Sequence, residues 1–251
     1  MNILLLLIFI SSLNCKYYLV KMKDFRKSKR ILNEIKYGDY GNQAYESSES
    51  IGLKNENAIP DIFEGDIILS DADKKKFRKT DGTIPKRKNA IIEKDKKWPL
   101  GVVPYEISED FPSEVKESIL QKMDEFHNKT CLEFVSHTNE EDFVSIEMGE
   151  KNSSPVGRHG GKQVVTLTSE ASALHELMHS IGFWHEQSRE DRDDYITVLK
   201  NNIQDDKLDN FKKYSLKEID HLGAKYDYCS IMHYGPGTFA KVYFNILFVT
   251  S

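Results

Sequence analysis

Apolar and polar residues alternate along short stretches between residues 102 and 167, and this alternation predicts β-strands. The stretches are VVPYEI (102–107), CLEFVSH (131–137), FVSIEMG (143–149) and the end of VGRHGGKQVVTL (156–167). After the first strand, apolar residues recur at helical spacing from a start at Pro112–Ser113: Val115, Ile119, Met123 and Phe126. A second helix is predicted for the histidine-containing stretch ASALHELMHS. The order strand, helix, three strands, helix favours an α+β domain.

The pattern is different before Asn89. Residues 16–88 are rich in lysine and carry little sustained periodicity, apart from MKDFRKSKRILNEIKY (22–37), which can form an amphipathic helix. A polar connector follows, and the segment ends in an exposed basic cluster from Pro85 to Lys88 that a trypsin-like or secretory-pathway protease could cut. The chain therefore divides at about residue 89 into an N-terminal segment and a globular domain.

Composition and the first residues indicate export. A formal charge of -5 gives no footprint for a nucleic-acid partner. The apolar block Ile3–Ile10 is far shorter than the roughly 20 residues of a membrane span, so residues 1–15 are read as a signal peptide and no membrane span is expected. Sequons at Asn128 and Asn152 agree with a secreted glycoprotein, although two sequons can also arise by chance. After cleavage near Cys15 two cysteines remain, too few for a disulfide scaffold.

The string HELMHSIGFWHE (175–186) has the spacing of a metal site. On a helix, His175 and His179 project from one face one turn apart and can bind the same zinc ion. Gly182 can end the helix with a left-handed conformation, after which the chain can turn back and bring in His185 as a third ligand. Three histidines leave one position open, as catalytic zinc sites do, and Glu176 is placed to act beside it as a general base. A structural zinc module fits poorly, because it would fill the fourth position with Cys or His.

The string HELMHSIGFWHEQSREDRDDYI closely resembles the zinc signature of the astacin family of metzincin endopeptidases, and YDYCSIMHYG (226–235) resembles that family's Met-turn. Three further stretches are similar to the family's pro-segment motif, mature start and active-site approach: FEGDI (63–67), NAIIEKDKKWPLGVVPYEI (89–107) and VGRHGGKQVVTL (156–167). The resemblance implies a metzincin catalytic domain over residues 89–241, with a twisted mixed sheet and an active-site helix. It also implies a pro-segment over 16–88, one zinc ion per chain and a protein or peptide substrate.

The resemblance also implies roles for individual residues. His175, His179 and His185 would hold the zinc, with Glu176 as the catalytic base. Tyr234 would be a further zinc ligand at rest that moves to stabilise the oxyanion.

Three other positions carry structural and regulatory roles in the family. Met232 would lie beneath the metal, and Glu186 would contact the amino terminus that an activating protease frees near Lys88–Asn89. The alternative for Glu186 is a solvated glutamate near a helix end. Asp66 would keep the zymogen latent by taking the place of the catalytic water, although by spacing alone it is one aspartate among many.

The chain departs from the family pattern in its cysteines and its end. Asn152 stands where the first cysteine of a family disulfide is expected, and both halves of that bridge are absent. The family partner of Cys131 is also missing, and pairing of Cys131 with Cys229 remains open. The resemblance stops near Lys241, so residues 242–251 are predicted to be an unrelated apolar tail and the C-terminal subdomain to be incomplete. The alternative to a zinc endopeptidase is a truncated, non-catalytic relative that binds zinc or a partner.

Overall fold

The computed structural model describes residues 62–78, 90–91, 93–213, 224–241 and 247–249. Its central element is a parallel four-stranded sheet in the order β4-β3-β5-β7. The strands are β3 (Val102–Ile107), β4 (Glu133–Ser136), β5 (Phe143–Met148) and β7 (Lys162–Leu167). All of them lie within stretches that the sequence predicts as strands, because their side chains alternate between the two faces of the sheet.

Two helices pack against this sheet and complete the main core. Helix α2 (Ser113–Lys129) begins at the predicted position and buries Ile119, Met123 and Phe126. The Phe126 ring lies 5.3 Å from the ring of Phe134 on β4, measured between centroids. The second helix, α3 (Ala173–Ser180), contains the first two histidines of the metal-site string and is buried over nearly its whole length. The predicted α+β arrangement is therefore confirmed.

Residues 62–78, which the sequence assigns to the N-terminal segment, are docked on the domain. β1 (Ile62–Phe63) and β2 (Ile67–Ile68) form a hairpin, and β2 pairs in parallel with β6 (Ser154–Pro155) of the domain. A short helix, α1 (Asp71–Arg78), follows. The resulting three-stranded sheet, in the order β1-β2-β6, brings residues 64–66 towards α3.

The chain after the metal-site string contains several 3-10 turns and little regular structure. β8 (Ile196–Val198) pairs antiparallel with β9 (Leu247–Val249), so three residues of the predicted tail join a sheet of the domain. An aromatic cluster separate from the main core lies here and includes Phe211, Tyr226 and Tyr234.

Cys131 is a free, exposed cysteine, so it is not paired with Cys229. Asn152, at the position where a cysteine was expected, is buried and hydrogen-bonded across the loop to Thr168 and Ser172. Its burial argues against glycosylation at this sequon in the folded protein, whereas Asn128 is exposed.

Several predictions lie outside the described residues. They are the signal peptide (1–15), the amphipathic helix (22–37), the basic cluster Pro85 to Lys88 and the bond Lys88–Asn89. In the part of the chain that the structure describes, every helix is too short or too polar to span a membrane.

Candidate metal centre

The end of α3 sets the positions of the three histidines. The helix ends after Ser180, and Gly182 follows with a φ of +110°, a conformation that a residue with a Cβ adopts only under strain. The amide of Gly182 donates to the carbonyl of His179 at 2.8 Å, and the chain then reverses. His185 comes back beside the helix, and its ring centroid lies 4.8 Å from that of His179 and 5.3 Å from that of His175.

Each histidine ring is oriented by a partner at Nδ1. The Nδ1 of His175 lies 2.8 Å from the carbonyl of Ile231, and the Nδ1 of His179 lies 2.7 Å from the carbonyl of Phe183. The Nδ1 of His185 lies 2.7 Å from a carboxylate oxygen of Glu64. A carbonyl or carboxylate oxygen can only accept, so these partners place the proton of each ring on Nδ1. The Nε2 atoms of all three rings are directed to one common point.

Asp66 occupies that point. One of its carboxylate oxygens lies 3.1 Å from the Nε2 of His175 and 3.3 Å from the Nε2 of His185. The other lies 3.6 Å from the Nε2 of His179. Asp66 is buried, and burial alone would raise the pKa of its carboxyl group; the charge of His185 and hydrogen bonds from His175 and His185 outweigh that effect and lower the pKa well below its usual range.

The donor set suits a zinc ion. Asp66 and the three histidines offer ligand atoms that all lie within 4.8 Å of one another. Imidazole nitrogens and a carboxylate oxygen are common zinc ligands. Among the described residues, the Nε2 of His179 has no hydrogen-bond partner although it is fully buried. A buried nitrogen lone pair without a donor is unfavourable, and a cation at this point would satisfy it.

Glu176 lies on the same turn as His175, with its side chain buried. Burial, and then the nearby charge of Asp66, raises the pKa of the Glu176 carboxyl group well above its usual value. Among the described residues, its Oε2 atom also has no hydrogen-bond partner. A perturbed carboxyl group beside a cluster of metal-binding nitrogens is typical of an acid–base catalyst.

Two contacts tie the N-terminal segment to the other parts of the site. The Tyr234 hydroxyl donates a short hydrogen bond to the backbone carbonyl of Glu64, and the Tyr234 ring lies 4.7 Å from that of His185. The Glu64 carboxylate also accepts a hydrogen bond from the hydroxyl of Ser188 at 2.8 Å. Glu64 is fully buried, so one residue of the segment contacts a histidine, the tyrosine and the turn that follows His185.

Glu186 is buried and paired. Its carboxylate accepts a hydrogen bond from Arg189 at 2.9 Å and from the backbone amide of Asp227 at 3.0 Å. Burial raises its pKa to about 7, although the charge of Arg189 opposes this. The solvated position that the sequence left open is therefore wrong. Arg189 also pairs with Asp191.

Met232 is fully buried in the main core, and its carbonyl accepts the amide of Glu186 at 2.8 Å. The side chain of Gln187 accepts the amide of Tyr234 at 3.0 Å. These bonds join the Met-turn to the chain just after His185, so the two strings that the sequence singled out are adjacent in space.

The structure thus brings together every candidate residue of the sequence analysis. Glu64 and Gln187 were missed. Glu64 carried a usable signal, since it is an acidic residue inside the apolar-flanked string FEGDI. Gln187 carried none, because its role depends on contact with a residue 47 positions away.

Comparison with known proteins gives one consistent family. The sequence model of the Astacin peptidase family matches residues 90–249, which includes most of the predicted tail. Zinc metalloproteinase nas-4 of Caenorhabditis elegans is 39% identical over 216 residues, covering 83% of this chain and 67% of the relative. Zinc metalloproteinase nas-13 of the same organism is 38% identical over 200 residues, covering 74% of this chain and 44% of the relative, so this chain spans less than half of the length of nas-13.

A solved structure agrees. High choriolytic enzyme 1, a hatching enzyme zinc-protease from Oryzias latipes, aligns with a TM-score of 0.60 and 34% identity, covering 64% of this chain and 86% of that one. The astacin-like fold expected from the sequence is confirmed.

Proposed function

Because the chain belongs to the astacin family of zinc metallopeptidases, we propose that it is the secreted zymogen of a zinc endopeptidase. The observation that carries this proposal is the convergence of three histidine Nε2 atoms on the carboxylate of Asp66. His175, His179 and His185 would hold the zinc ion. Residues 1–15 would be the signal peptide and 16–88 the pro-segment, and the catalytic domain would begin at residue 89.

In the zymogen, residues 64–66 would keep the site inactive in two ways. The Asp66 carboxylate fills the space between the three Nε2 atoms, where a water molecule would otherwise be activated. The carbonyl of Glu64 holds the hydroxyl of Tyr234, which is therefore not available to a substrate. Removing the segment would free both groups together.

When bound, zinc would act as a Lewis acid that polarises the scissile carbonyl group and makes water more acidic. Glu176 would take the proton from the attacking water and deliver it to the leaving amine, which restores the carboxylate for the next cycle. Its buried position and raised pKa suit a group that must bind and release a proton near neutral pH. Tyr234 would donate its hydroxyl proton in a hydrogen bond to the oxyanion of the tetrahedral intermediate.

Activation would require a cut near Lys88–Asn89 by a trypsin-like or secretory-pathway protease. The new ammonium group would then contact Glu186. Here Glu186 is buried beside Arg189, and a buried carboxylate retains its charge only with such a partner. Arg189 would be this partner in the zymogen. After the cut, Arg189 and the new amino terminus would both pair with the Glu186 carboxylate.

The test is a paired measurement of peptide hydrolysis and metal content on activated protein. Glu176→Gln should lower hydrolysis of a protein substrate by at least about 100-fold, since a general base contributes typically 10²–10⁴-fold. Zinc content measured by atomic emission should stay at one ion per chain. Glu117→Gln, the same change at an exposed site on α2, is the control and should alter neither quantity.

The alternative is a non-catalytic relative that binds zinc or a partner. It would be favoured if the activated wild-type chain retained zinc and yet showed no chelator-sensitive hydrolysis. Hydrolysis that survives in Glu176→Gln would contradict the role of this residue in either case.

A further inference from the structure

A buried ion pair joins the N-terminal segment to the domain outside the metal centre. The ammonium group of Lys96 lies 2.9 and 2.8 Å from the two carboxylate oxygens of Asp73 on α1. Asp73 is only 2% exposed and Lys96 only 9%. The hydroxyl of Ser70 donates to the same carboxylate at 2.6 Å and accepts the amide of Asp73 at 3.1 Å. The carboxylate is therefore fixed in place by Ser70, the residue that precedes its own helix.

Lys96 is positioned by the domain itself. Its backbone carbonyl accepts the amide of Arg158 at 2.7 Å, and its amide donates to the carbonyl of Glu93 at 3.2 Å. A Cβ at Gly157 would lie 2.7 Å from that same carbonyl of Lys96, so this approach requires glycine. None of these contacts involves residues 62–78. The position of Lys96 is thus set within the domain, and the segment binds its ammonium group.

An apolar cluster lies between this ion pair and the metal centre. Phe63, Ile67 and Leu69 of the segment pack with residues of the domain, and the Phe63 ring lies 6.4 Å from that of Trp184. The domain residues of the cluster are Ile91, Val156 and Trp184. Besides its strand pairing with β6 and the contacts of residues 64–66 at the metal centre, the segment is therefore attached in this cluster and at Lys96 by Asp73.

We propose that Lys96, together with the apolar cluster, forms a carboxylate-binding subsite whose occupant is the chain's own segment 62–78, held through Asp73. The subsite holds this segment in the cleft after the chain has been cut between residues 79 and 89. Cutting alone therefore leaves the site blocked until the segment dissociates. Because that cut is the activation step of the proposed function, the subsite deepens that function and rests on it.

The experiment follows release of the segment from the zinc-loaded full chain after limited tryptic cleavage at Lys86–Lys88. Native mass spectrometry after dilution measures the fraction of molecules that still carry the segment. Asp73→Asn leaves a buried ammonium group without its carboxylate, so release should be about 100-fold faster than in the wild type. Asp71→Asn, the same change at an exposed position of the same helical turn, should alter release by less than about twofold.

Exchanging the two charges tests whether the Asp73–Lys96 ion pair itself retains the segment. Asp73→Lys and Lys96→Asp should each speed release, and the two changes combined should restore slow release at least in part. In uncut chains, hydrogen–deuterium exchange of the amides of residues 67–69 should follow the same order among the variants, which guards against differences in tryptic cleavage.

The subsite is refuted if Asp73→Asn retains the segment as long as the wild type, or if the wild type loses its segment as soon as it is cut. Both readouts are independent of catalysis. A chain without peptidase activity would contradict the proposed function and leave the release rates measurable.

Discussion

Leu100 has a backbone conformation that is unfavourable for leucine. It is 97% exposed, its φ is +57°, and its side chain gains nothing from packing. A left-handed conformation costs roughly 1–2 kcal/mol for an ordinary residue, whereas asparagine tolerates it better through local hydrogen bonds. We expect Leu100→Asn to raise the free energy of unfolding by about 0.5–1 kcal/mol.

Thermal unfolding checks this prediction, with Leu120→Asn as the control. Leu120 is also exposed, at 40%, but lies in the middle of α2 with ordinary helical geometry. Asparagine has a lower helix propensity than leucine, so this control should be neutral or slightly destabilising. Equal effects of the two changes would mean that loss of an exposed apolar side chain, and not backbone strain, determines the result.

Asn152 makes hydrogen bonds at the position where the family resemblance predicts a disulfide cysteine. Its side-chain oxygen accepts the amide of Thr168 at 2.8 Å and the hydroxyl of Thr168 at 3.1 Å, and its nitrogen donates to Ser172 at 3.0 Å. Asn152→Ala removes these bonds and leaves a backbone amide unsatisfied, so we expect a loss of about 2 kcal/mol in denaturant unfolding. Asn139→Ala, at an exposed asparagine, should change stability by less than about 0.5 kcal/mol.

The same contacts bear on modification. A glycan attaches through the side-chain nitrogen of Asn152, which is buried here and donates to Ser172, so peptide mapping of the protein expressed through a eukaryotic secretory pathway should find glycan at Asn128 and not at Asn152. A folded, fully stable protein with glycan on Asn152 would contradict the proposal that the hydrogen bonds of Asn152 stabilise this loop.

At the scale of the element, the end of α3 determines the metal centre. A Cβ at Gly182 would lie 2.6 Å from two side-chain atoms of Ile91, and φ there is +110°. Gly182→Ala should therefore lower stability by about 2 kcal/mol or more and weaken zinc binding, because Phe183 and His185 follow directly. Competition with a fluorescent zinc chelator measures the second effect.

Gly160 provides the matched control for this prediction. Its φ is +84°, but the nearest atom to an added Cβ is 3.8 Å away. Gly160→Ala should thus show the conformational cost alone, with unchanged zinc affinity. If Gly182→Ala binds zinc as tightly as Gly160→Ala, the helix end does not set the geometry of the ligands.

The elements predicted from the sequence are those in which the periodic pattern of apolar residues extends over enough positions to be recognised. β3, α2 and β7 each span at least six residues with regular periodicity. β6 has two residues and β8 has three, and such short strands exist only through their partners. Within α3, the spacing of His175 and His179 follows from helix geometry, which is local.

Contacts across the chain were accessible only through family resemblance or were missed altogether. Asp66 reaches His175 over 109 residues, and no local pattern encodes that distance. The Asp73–Lys96 pair was missed for a similar reason, since lysine and aspartate are usually solvated in a chain with this many charges.

For the whole molecule, the metal centre joins parts of the chain that otherwise pack in separate clusters. The histidines lie at the junction of the main core, the docked segment and the aromatic cluster of Tyr234. A ligand that binds only the folded state stabilises it by about 2.7 kcal/mol at 100 times its Kd. For a domain of this size, this corresponds to roughly 5–10 °C in Tm. Removing zinc from the uncut chain with a chelator should therefore lower Tm by about that amount.

Two variants separate metal binding from catalysis in this measurement. His179→Gln removes a fully buried ligand, so its Tm should be low already and should not respond to the chelator. Glu176 is not a proposed ligand, so the Tm of Glu176→Gln should fall on chelation as much as that of the wild type. If the wild-type Tm is the same with and without chelator, zinc does not link these clusters and their packing alone sustains the fold. If Glu176→Gln ceases to respond while His179→Gln still does, the assignment of ligand and base must be reversed.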